Sequence, residues 1–306
     1  MERRNPPPQR RAPDRRPPPE GSRPGRSHTP AGVAPKGLVE RTGPLHVEII
    51  VVGRELLRGR TQEAIAGFLA GWLSQRGAIV HRITTVDDHD RAITEAMTEA
   101  IERGARLVIT TGGLGPTSDD KTLAAVADAL RLPLAIHPHA KEMVESAYRR
   151  LAQERRVSRS GLTAAREKMC SIPVGGEPVP NETGPAPGVI VRKPGGVIVV
   201  CLPGVPEEAR GVFLAAIERL RDVAPRGAVA RREVETPTAD ESSLRTILDR
   251  LTEEFPQVWV KSHAPGFGHA NDRILVTIEA GAATEAEATT AVENALRRLL
   301  SLSGGG

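Results

Sequence analysis

Cysteine is scarce in this sequence, with only Cys170 and Cys201 in 306 residues. Two cysteines in so long a chain cannot form a disulfide framework, which indicates a reducing compartment such as the cytoplasm. The sequence also lacks the run of roughly 20 apolar residues that a membrane-spanning helix requires. The C-x-x-C and H-E-x-x-H spacings of common metal sites are absent as well. We therefore expect a cytoplasmic protein without a membrane-spanning segment.

Large apolar side chains are almost missing from residues 1–44. This segment holds 11 prolines and nine Arg plus one Lys against four acids, so its charge of +6 exceeds the +4 of the whole chain. Such a composition cannot bury enough apolar surface to offset the entropy of ordering, and it predicts a disordered tail. The tail has no apolar segment typical of a signal peptide. Nucleic acid is expected to bind only through this basic tail, if at all.

Residues 45–225 alternate short apolar runs with amphipathic helical patterns. Runs typical of strands begin near His46, Ala78 and Arg106, and segments of helical periodicity follow them. This β-α-β-α order with short connections predicts a mostly parallel sheet covered by helices on both faces. Residues 172–188 are rich in Pro and Gly and show no regular pattern.

A boundary is expected near Pro225. The order β-α-β-β-α over residues 226–302 predicts a small α+β domain, followed by a Ser/Gly tail at 303–306. Two helix starts in this part have the spacing of a capping box. The pairs are Thr238 with Glu241, and Thr284 with Glu287.

The most informative segment is residues 111–122, TGGLGPTSDDKT, between a predicted strand and a predicted helix. It is not a P-loop, because Asp120 stands where that motif has Gly, and not a dinucleotide fingerprint, because Ser118 stands at its third Gly. Backbone N–H groups at a helix start attract anions, and glycines let a phosphate approach closely. The carboxylates of Asp119 and Asp120 would repel a phosphate without a cation between them. The segment therefore predicts a phosphorylated ligand together with a divalent metal.

Three further segments follow strands at the same expected edge of the sheet, where open α/β sheets bind ligands. They are residues 53–59, 86–88 and 202–207, and each holds a glycine or a carboxylate. Hard cations prefer carboxylate and phosphate oxygens, so Mg²⁺, Mn²⁺ or Co²⁺ is expected. The candidate metal ligands and catalytic acids are Asp88, Asp119 and Asp120, with Glu55 and Glu207 as outer candidates.

Each of these acids also has a purely structural explanation. Asp88 and Asp119 have the position of a helix cap. Asp120 and the pair Glu207 and Glu208 have positions that favour a helix dipole. Their common place at one edge of the sheet favours a binding site.

Four segments together resemble the N-terminal domain family of CinA, the competence/damage-inducible protein A. They lie in the family's order over residues 46 to about 222, and the remainder to about 302 resembles the family's KH-like middle domain. The superfamily is the molybdopterin-binding MoaB/MogA fold. The matching segments are Gly53-x-Glu55-Leu-Leu-x-Gly59, the glycine turn at 111–122, Asn181-x-x-Gly184-x-Ala186-Pro187-Gly188 and Leu202-Pro203-Gly204-x-Pro206-x-Glu208.

The resemblance implies a three-layer α/β/α MogA-like domain and metal-dependent hydrolysis of an ADP-ribose-type nucleotide diphosphate. In the molybdopterin relatives, the glycine turn binds the phosphate side of the pterin, and two required aspartates match Asp120 and Asp88. A homo-oligomer, dimer or trimer, is implied as well. The C-terminal amidase domain of full-length CinA proteins has no counterpart among the matched segments. The implied ligand-binding residues are Glu55, Gly112, Gly113, Leu114, Gly115, Thr117, Ser118, Gly184, Gly188, Pro203 and Gly204.

Three positions depart from the family pattern. Arg54 replaces a small polar residue, Glu63-Ala64-Ile65 replaces Asp-Thr-Asn, and Pro185 replaces Thr. Two other functions stay open, a molybdopterin-binding or adenylylating protein and a non-catalytic nucleotide-binding module. RNA binding by the KH-like part is not expected, because Gly266-Phe-Gly268-His lacks the G-x-x-G spacing.

Overall fold

A computed structural model describes residues 45–236, 240–263 and 273–303. The predicted tail at 1–44, Thr238, the segment around Gly266–Gly268 and residues 304–306 lie outside the described residues. None of the helices in those three ranges is long and apolar enough to cross a membrane.

The first part of the described chain contains eight strands and seven helices. Their bounds, in chain order, are β1 His46–Val52, α1 Arg54–Leu57, α2 Ile65–Ser74, β2 Ile79–Val86, α3 Asp90–Glu102, β3 Leu107–Thr111, α4 Thr122–Leu130, β4 Leu134–Ile136, α5 Pro138–Gln153, α6 Ala164–Lys168, β5 Ser171–Pro173, β6 Glu177–Val179, β7 Gly188–Arg192, β8 Ile198–Leu202 and α7 Pro206–Arg219.

Six of these strands form one sheet in the order β2-β1-β3-β8-β7-β6. The neighbours from β2 to β8 pair in parallel, whereas β7 and β6 join in antiparallel pairing. β3 and β8 are buried along their whole length, as expected for central strands with helices on both faces. The prediction of a mostly parallel α/β/α sheet is confirmed.

Helices pack on both faces of this sheet. Met97 of α3 and Val126 of α4 belong to the core on one face, with side chains of α5. Leu69 of α2 and Phe213 of α7 belong to the core on the other face. Two apolar layers therefore fix the sheet from both sides and leave the strand ends free for a site.

Two details differ from the sequence-based predictions. Residues 172–188 are not all irregular, because β5 pairs with β4 and β6 extends the main sheet. These strands have three residues each, too few to show a periodic pattern. In addition, α4 begins at Thr122 with Lys121 as its N-cap, so the aspartates before it lie in the turn and not in the helix.

The second part of the chain contains three strands and two helices. The strands form an antiparallel sheet, and both helices pack on it through a separate apolar core. The β-α-β-β-α order agrees with the sequence pattern, and its likeness to a KH domain stays a prediction. The bounds are β9 Ala228–Glu235, α8 Glu241–Glu254, β10 Val258–His263, β11 Leu275–Ala282 and α9 Glu285–Ser303.

The capping box predicted before α9 is confirmed. Glu287 donates its backbone N–H to Thr284 Oγ1 at 3.3 Å, and Thr284 donates its own N–H to Glu287 Oε2 at 3.1 Å. For α8, the N-cap is Asp240, whose carboxylate accepts the N–H of Ser242 at 3.0 Å.

Candidate functional site

The four parallel strands end at one edge of the sheet and open into a cleft. Val52 of β1 lies beside Val86 of β2, and Thr111 of β3 lies beside Leu202 of β8. The segments that follow these strands surround a cleft of about 370 Å³. This volume is in the range of small-molecule binding sites. All four segments identified from the sequence reach this cleft.

The wall of the cleft is acidic. Five carboxylate side chains line it, and the lining residues include no lysine, arginine or histidine among those the structure describes. These carboxylates would repel an anionic ligand unless a cation lay beside it. The five acids are Glu55, Asp88, Asp119, Asp120 and Glu208.

The glycine turn lines the same cleft with residues that have unpaired backbone N–H groups. Gly112 and Gly113 have φ angles of 93° and 68°, in the left-handed region that favours glycine. Thr122 anchors the turn by donating its hydroxyl to Gly112 O at 2.7 Å and its N–H to Gly113 O at 3.1 Å. Within the described chain, the N–H groups of Gly113, Leu114 and Gly115 have no hydrogen-bond partner. Successive unpaired N–H groups of this kind can receive an anion.

Asp119 and Asp120 meet at one hydroxyl group. Thr117 Oγ1 lies 2.5 Å from Asp119 Oδ1 and 2.6 Å from Asp120 Oδ2, and the Thr117 N–H donates to Asp120 Oδ2 at 2.8 Å. A hydroxyl has one proton, so it can donate to only one of the two carboxylates. The Thr117 bond holds the pKa of Asp119 below its usual value. Two carboxylates are thus held close together on the turn.

Asp88 differs from the other acids because it is paired with a base. Arg54 Nη2 lies 2.9 Å from Asp88 Oδ1, and Arg54 Nε donates to Asp87 Oδ1 at 2.9 Å. Burial and the neighbouring Asp87 raise the pKa of Asp88, against the opposing charge of Arg54. The hydrogen bond to Asp87 raises the pKa of Arg54. A single guanidinium therefore bridges two consecutive carboxylates at the rim.

Three glycines of the rim make room for three of the carboxylates. A Cβ atom on Gly53 would lie 2.6 Å from Glu55 Oε1, and one on Gly115 would lie 2.6 Å from Asp120 Oδ2. A Cβ atom on Gly184 would overlap the carboxylate of Glu208. These glycines thus determine where the acids can lie.

None of the three predicted aspartates caps a helix or lies in a first helical turn. The N-cap of α3 is His89 and that of α4 is Lys121, and neither helix has a side-chain cap. The first turn of α4 contains no acid, so Asp120 does not act on its dipole. Asp88, Asp119 and Asp120 all face the cleft instead.

Several predicted binding residues do not line the cleft. Ser118 is exposed outside it, and Thr117 contacts the acids from behind. Gly188 lies in β7, where a Cβ atom would overlap Val212 of α7, so its role is packing. Gly184 lies beneath Glu208. The predicted residues that do line the cleft are Glu55, Asp88, Gly112, Gly113, Leu114, Gly115, Asp119, Asp120, Pro203 and Gly204.

The acid that reaches the cleft from α7 is Glu208, and the prediction of Glu207 is wrong on this point. Glu208 Oε2 accepts a hydrogen bond from Asn181 Nδ2 at 2.7 Å, and Asn181 Oδ1 accepts the N–H of Gly184 at 2.8 Å. Asn181 and Glu208 belong to two separate sequence motifs, and this hydrogen bond joins them at the cleft. Lys168 was also missed, and its Nζ donates to the carbonyl of Thr117 behind the glycine turn.

The acids do not form a complete metal cage. No group of three or more His, Cys, Asp or Glu side chains within the described ranges is arranged to hold a metal ion. Mg²⁺ and similar ions are commonly bound by one or two carboxylates plus substrate phosphates. The pair Asp119 and Asp120 fits that second arrangement, in which the ligand completes the coordination.

The fold and the rim define an α/β domain with a glycine turn that lines a cleft beyond its parallel strands. The family model described as "probable molybdopterin binding domain" matches residues 48–222. The chain belongs to this family.

Relatives match over most of the chain. A protein from Aeropyrum pernix is 41% identical over 261 residues, covering 84% of this chain and 94% of that protein. A protein from Pyrobaculum aerophilum is 37% identical over 255 residues, covering 83% and 92%. The crystal structure of the protein CinA with unknown function from Thermoplasma acidophilum is 36% identical, with a TM-score of 0.51 over 57% of this chain and 97% of that one. This CinA-like relationship confirms the resemblance seen in the sequence.

Proposed function

We propose that the cleft binds an ADP-ribose-type nucleotide diphosphate together with a divalent cation and hydrolyses its pyrophosphate bond. The observation that carries this proposal is the set of groups that line the cleft. Unpaired N–H groups suited to phosphate and five carboxylates suited to a cation line the same cleft. A phosphate alone would be repelled by the carboxylates, and a cation alone would leave the N–H groups unused. A phosphate bound together with a cation uses both sets of groups.

The residues of the chain divide between holding the phosphates and holding the cation. The N–H groups of Gly113, Leu114 and Gly115 would receive oxygens of one phosphate. Asp119 and Asp120 would hold the cation, whereas Asp88 is already paired with Arg54. A divalent cation bound there would neutralise charge on the diphosphate and lower the pKa of a bound water. Hydrolysis consumes one water and yields AMP and ribose 5-phosphate.

The direct test is AMP release from ADP-ribose in the presence of Mg²⁺, Mn²⁺ or Co²⁺, followed by chromatography. We expect release by the unaltered chain and a fall of at least about 10-fold in Asp120→Asn, because losing a proposed metal ligand should cost no less than losing a residue that supports one. Asp128→Asn is the matched control, because Asp128 is exposed on α4 away from the cleft. No release by the unaltered chain, or equal release by Asp120→Asn, would refute the proposal.

A second candidate is the binding or adenylylation of molybdopterin. The observation that favours it is the family match over residues 48–222. The same N–H groups would then hold the phosphate of the pterin. Pterin fluorescence that copurifies with the chain, or a melting temperature raised by molybdopterin and not by ADP-ribose, would favour this candidate over hydrolysis.

A further inference from the structure

Arg54 forms an ion pair with Asp88, one of the carboxylates that line the cleft. Asp88 lines the cleft with only 18% of its side chain exposed, and Arg54 Nη2 lies 2.9 Å from its Oδ1. The second contact, from Nε to Asp87 at 2.9 Å, fixes the guanidinium plane. Because a guanidinium is always protonated in proteins, its positive charge beside Asp88 is permanent.

Asp119 and Asp120 have no comparable partner. Their side-chain hydrogen bonds go to Thr117, and neither forms an ion pair with a base in the part of the chain that the structure describes. Their negative charge therefore stays available to a cation in the cleft. Of the three aspartates that line the cleft, one is thus paired with a base within the protein and two are not.

We propose that Arg54 is a resident cation that withholds Asp88 from the metal, so that the cleft takes one divalent cation at Asp119 and Asp120. This inference rests on the proposed function of the same cleft. Asp88 is then a positioning residue that orients Arg54, and it contacts no metal in the unaltered chain. Removing the guanidinium frees Asp88 as an additional oxygen ligand and raises the affinity for the cation.

Mn²⁺ titration of the full chain, followed by electron paramagnetic resonance, tests this inference without measuring activity. In Arg54→Gln we expect Mn²⁺ to bind about fivefold more tightly, in line with the energy of one ion pair at a protein surface. Adding Asp88→Asn to Arg54→Gln should cancel that gain. Asp88→Asn alone should change the affinity less than twofold, whereas Asp120→Asn should weaken it about tenfold.

Arg91→Gln is the matched control for the loss of one positive charge. Arg91 is 83% exposed on α3, and its one ion pair among the described residues is with Glu95, so its removal should leave Mn²⁺ affinity unchanged. If Arg54→Gln does not fold, Arg54→Lys takes its place, since one ammonium group cannot bridge Asp87 and Asp88 as a planar fork does. The lysine variant should also bind Mn²⁺ more tightly.

The outcomes separate this inference from the proposed function. Unchanged Mn²⁺ affinity in Arg54→Gln, or a loss of affinity in Asp88→Asn alone, would overturn the role of Arg54 and leave a metal-dependent cleft intact. The absence of Mn²⁺ binding in every variant, with and without ADP-ribose, would overturn both.

Discussion

At the scale of single residues, the position of an acid in this cleft depends on a glycine beneath it. Gly115 leaves space for the Asp120 carboxylate, and Gly184 leaves space for that of Glu208. In both cases the atom that a Cβ would meet is the end of a flexible side chain and not the backbone. Substituting such a glycine should therefore move the carboxylate and leave the fold intact.

Gly115→Ala should weaken Mn²⁺ binding about tenfold, because the added methyl group displaces the Asp120 carboxylate from its place beside Thr117. The melting temperature should change little. Gly67→Ala is the control, since Gly67 lies in α2 with open space at its Cβ position. Unchanged Mn²⁺ affinity in Gly115→Ala would show that this space is not needed for the site.

The buried ion pair at Glu48 gives a prediction about pH. Glu48 is 2% exposed, and its carboxylate accepts two bonds from Arg103, at 2.9 and 2.7 Å. Burial raises the pKa of Glu48, but the hydrogen bonds and charge of Arg103 outweigh it and hold the pKa below its usual value. The pair therefore stabilises the fold in full above the ordinary glutamate pKa. This stabilisation is lost as the pH falls through the lowered pKa of the folded protein.

Glu48→Gln should lower the free energy of unfolding at neutral pH by about 1–3 kcal/mol, the loss expected for a buried charged hydrogen bond. The difference from the unaltered chain should shrink as the pH falls below the ordinary glutamate pKa and through the lowered pKa of the folded protein. Urea unfolding at a series of pH values measures both. A difference that stays constant with pH would contradict the assignment of this ion pair.

At the scale of elements, the sequence predicts what depends on local pattern. The apolar runs of β3 and β8 and the amphipathic pattern of α3 mark their positions. Burial on both faces leaves a continuous apolar run, and burial on one face leaves a periodic pattern. The turn at Gly112 was likewise recognisable. The strands β5 and β6 are too short to show a periodic pattern in the sequence. Asp120 lies in the turn, although its sequence position also suits a helix start.

Contacts between distant segments could not be read from the sequence. Arg54 and Asp87 are 33 residues apart, and Asn181 and Glu208 are 27 apart. Whether such side chains meet depends on how β1 pairs with β2 and how α7 packs, and neither is encoded in spacing. The sequence therefore indicated which segments form the rim but not which acids are paired.

Thr284→Ala should destabilise the second part of the chain by about 1 kcal/mol, the usual cost of losing a helix N-cap. Its hydroxyl accepts the N–H of Glu287 at the start of α9. Thermal unfolding measured by circular dichroism checks this, and Thr290→Ala, one turn into the same helix, is the control. Equal effects of the two substitutions would argue against the cap.

At the scale of the whole molecule, charge is distributed unevenly along the chain. Residues 1–44 have a net charge of +6, whereas the whole chain has a net charge of +4. The remaining residues are therefore slightly acidic. The basic segment and the acidic cleft are thus expected to have separate roles. Nucleic-acid binding, where it occurs, should depend on the basic segment and weaken with salt.

Deleting residues 1–44 should abolish retention on nucleic acid and leave ADP-ribose hydrolysis and the melting temperature unchanged. Both activities can be measured on the same preparations. Retention that survives the deletion would instead place nucleic-acid binding in the folded part of the chain.

We propose that the cleft takes an anionic ligand only together with a divalent cation. The melting temperature with ADP-ribose, measured with and without Mn²⁺, tests this directly. ADP-ribose should raise the melting temperature only when Mn²⁺ is present, and Asp120→Asn should lose this shift. A shift of equal size without Mn²⁺, or no shift under either condition, would contradict it.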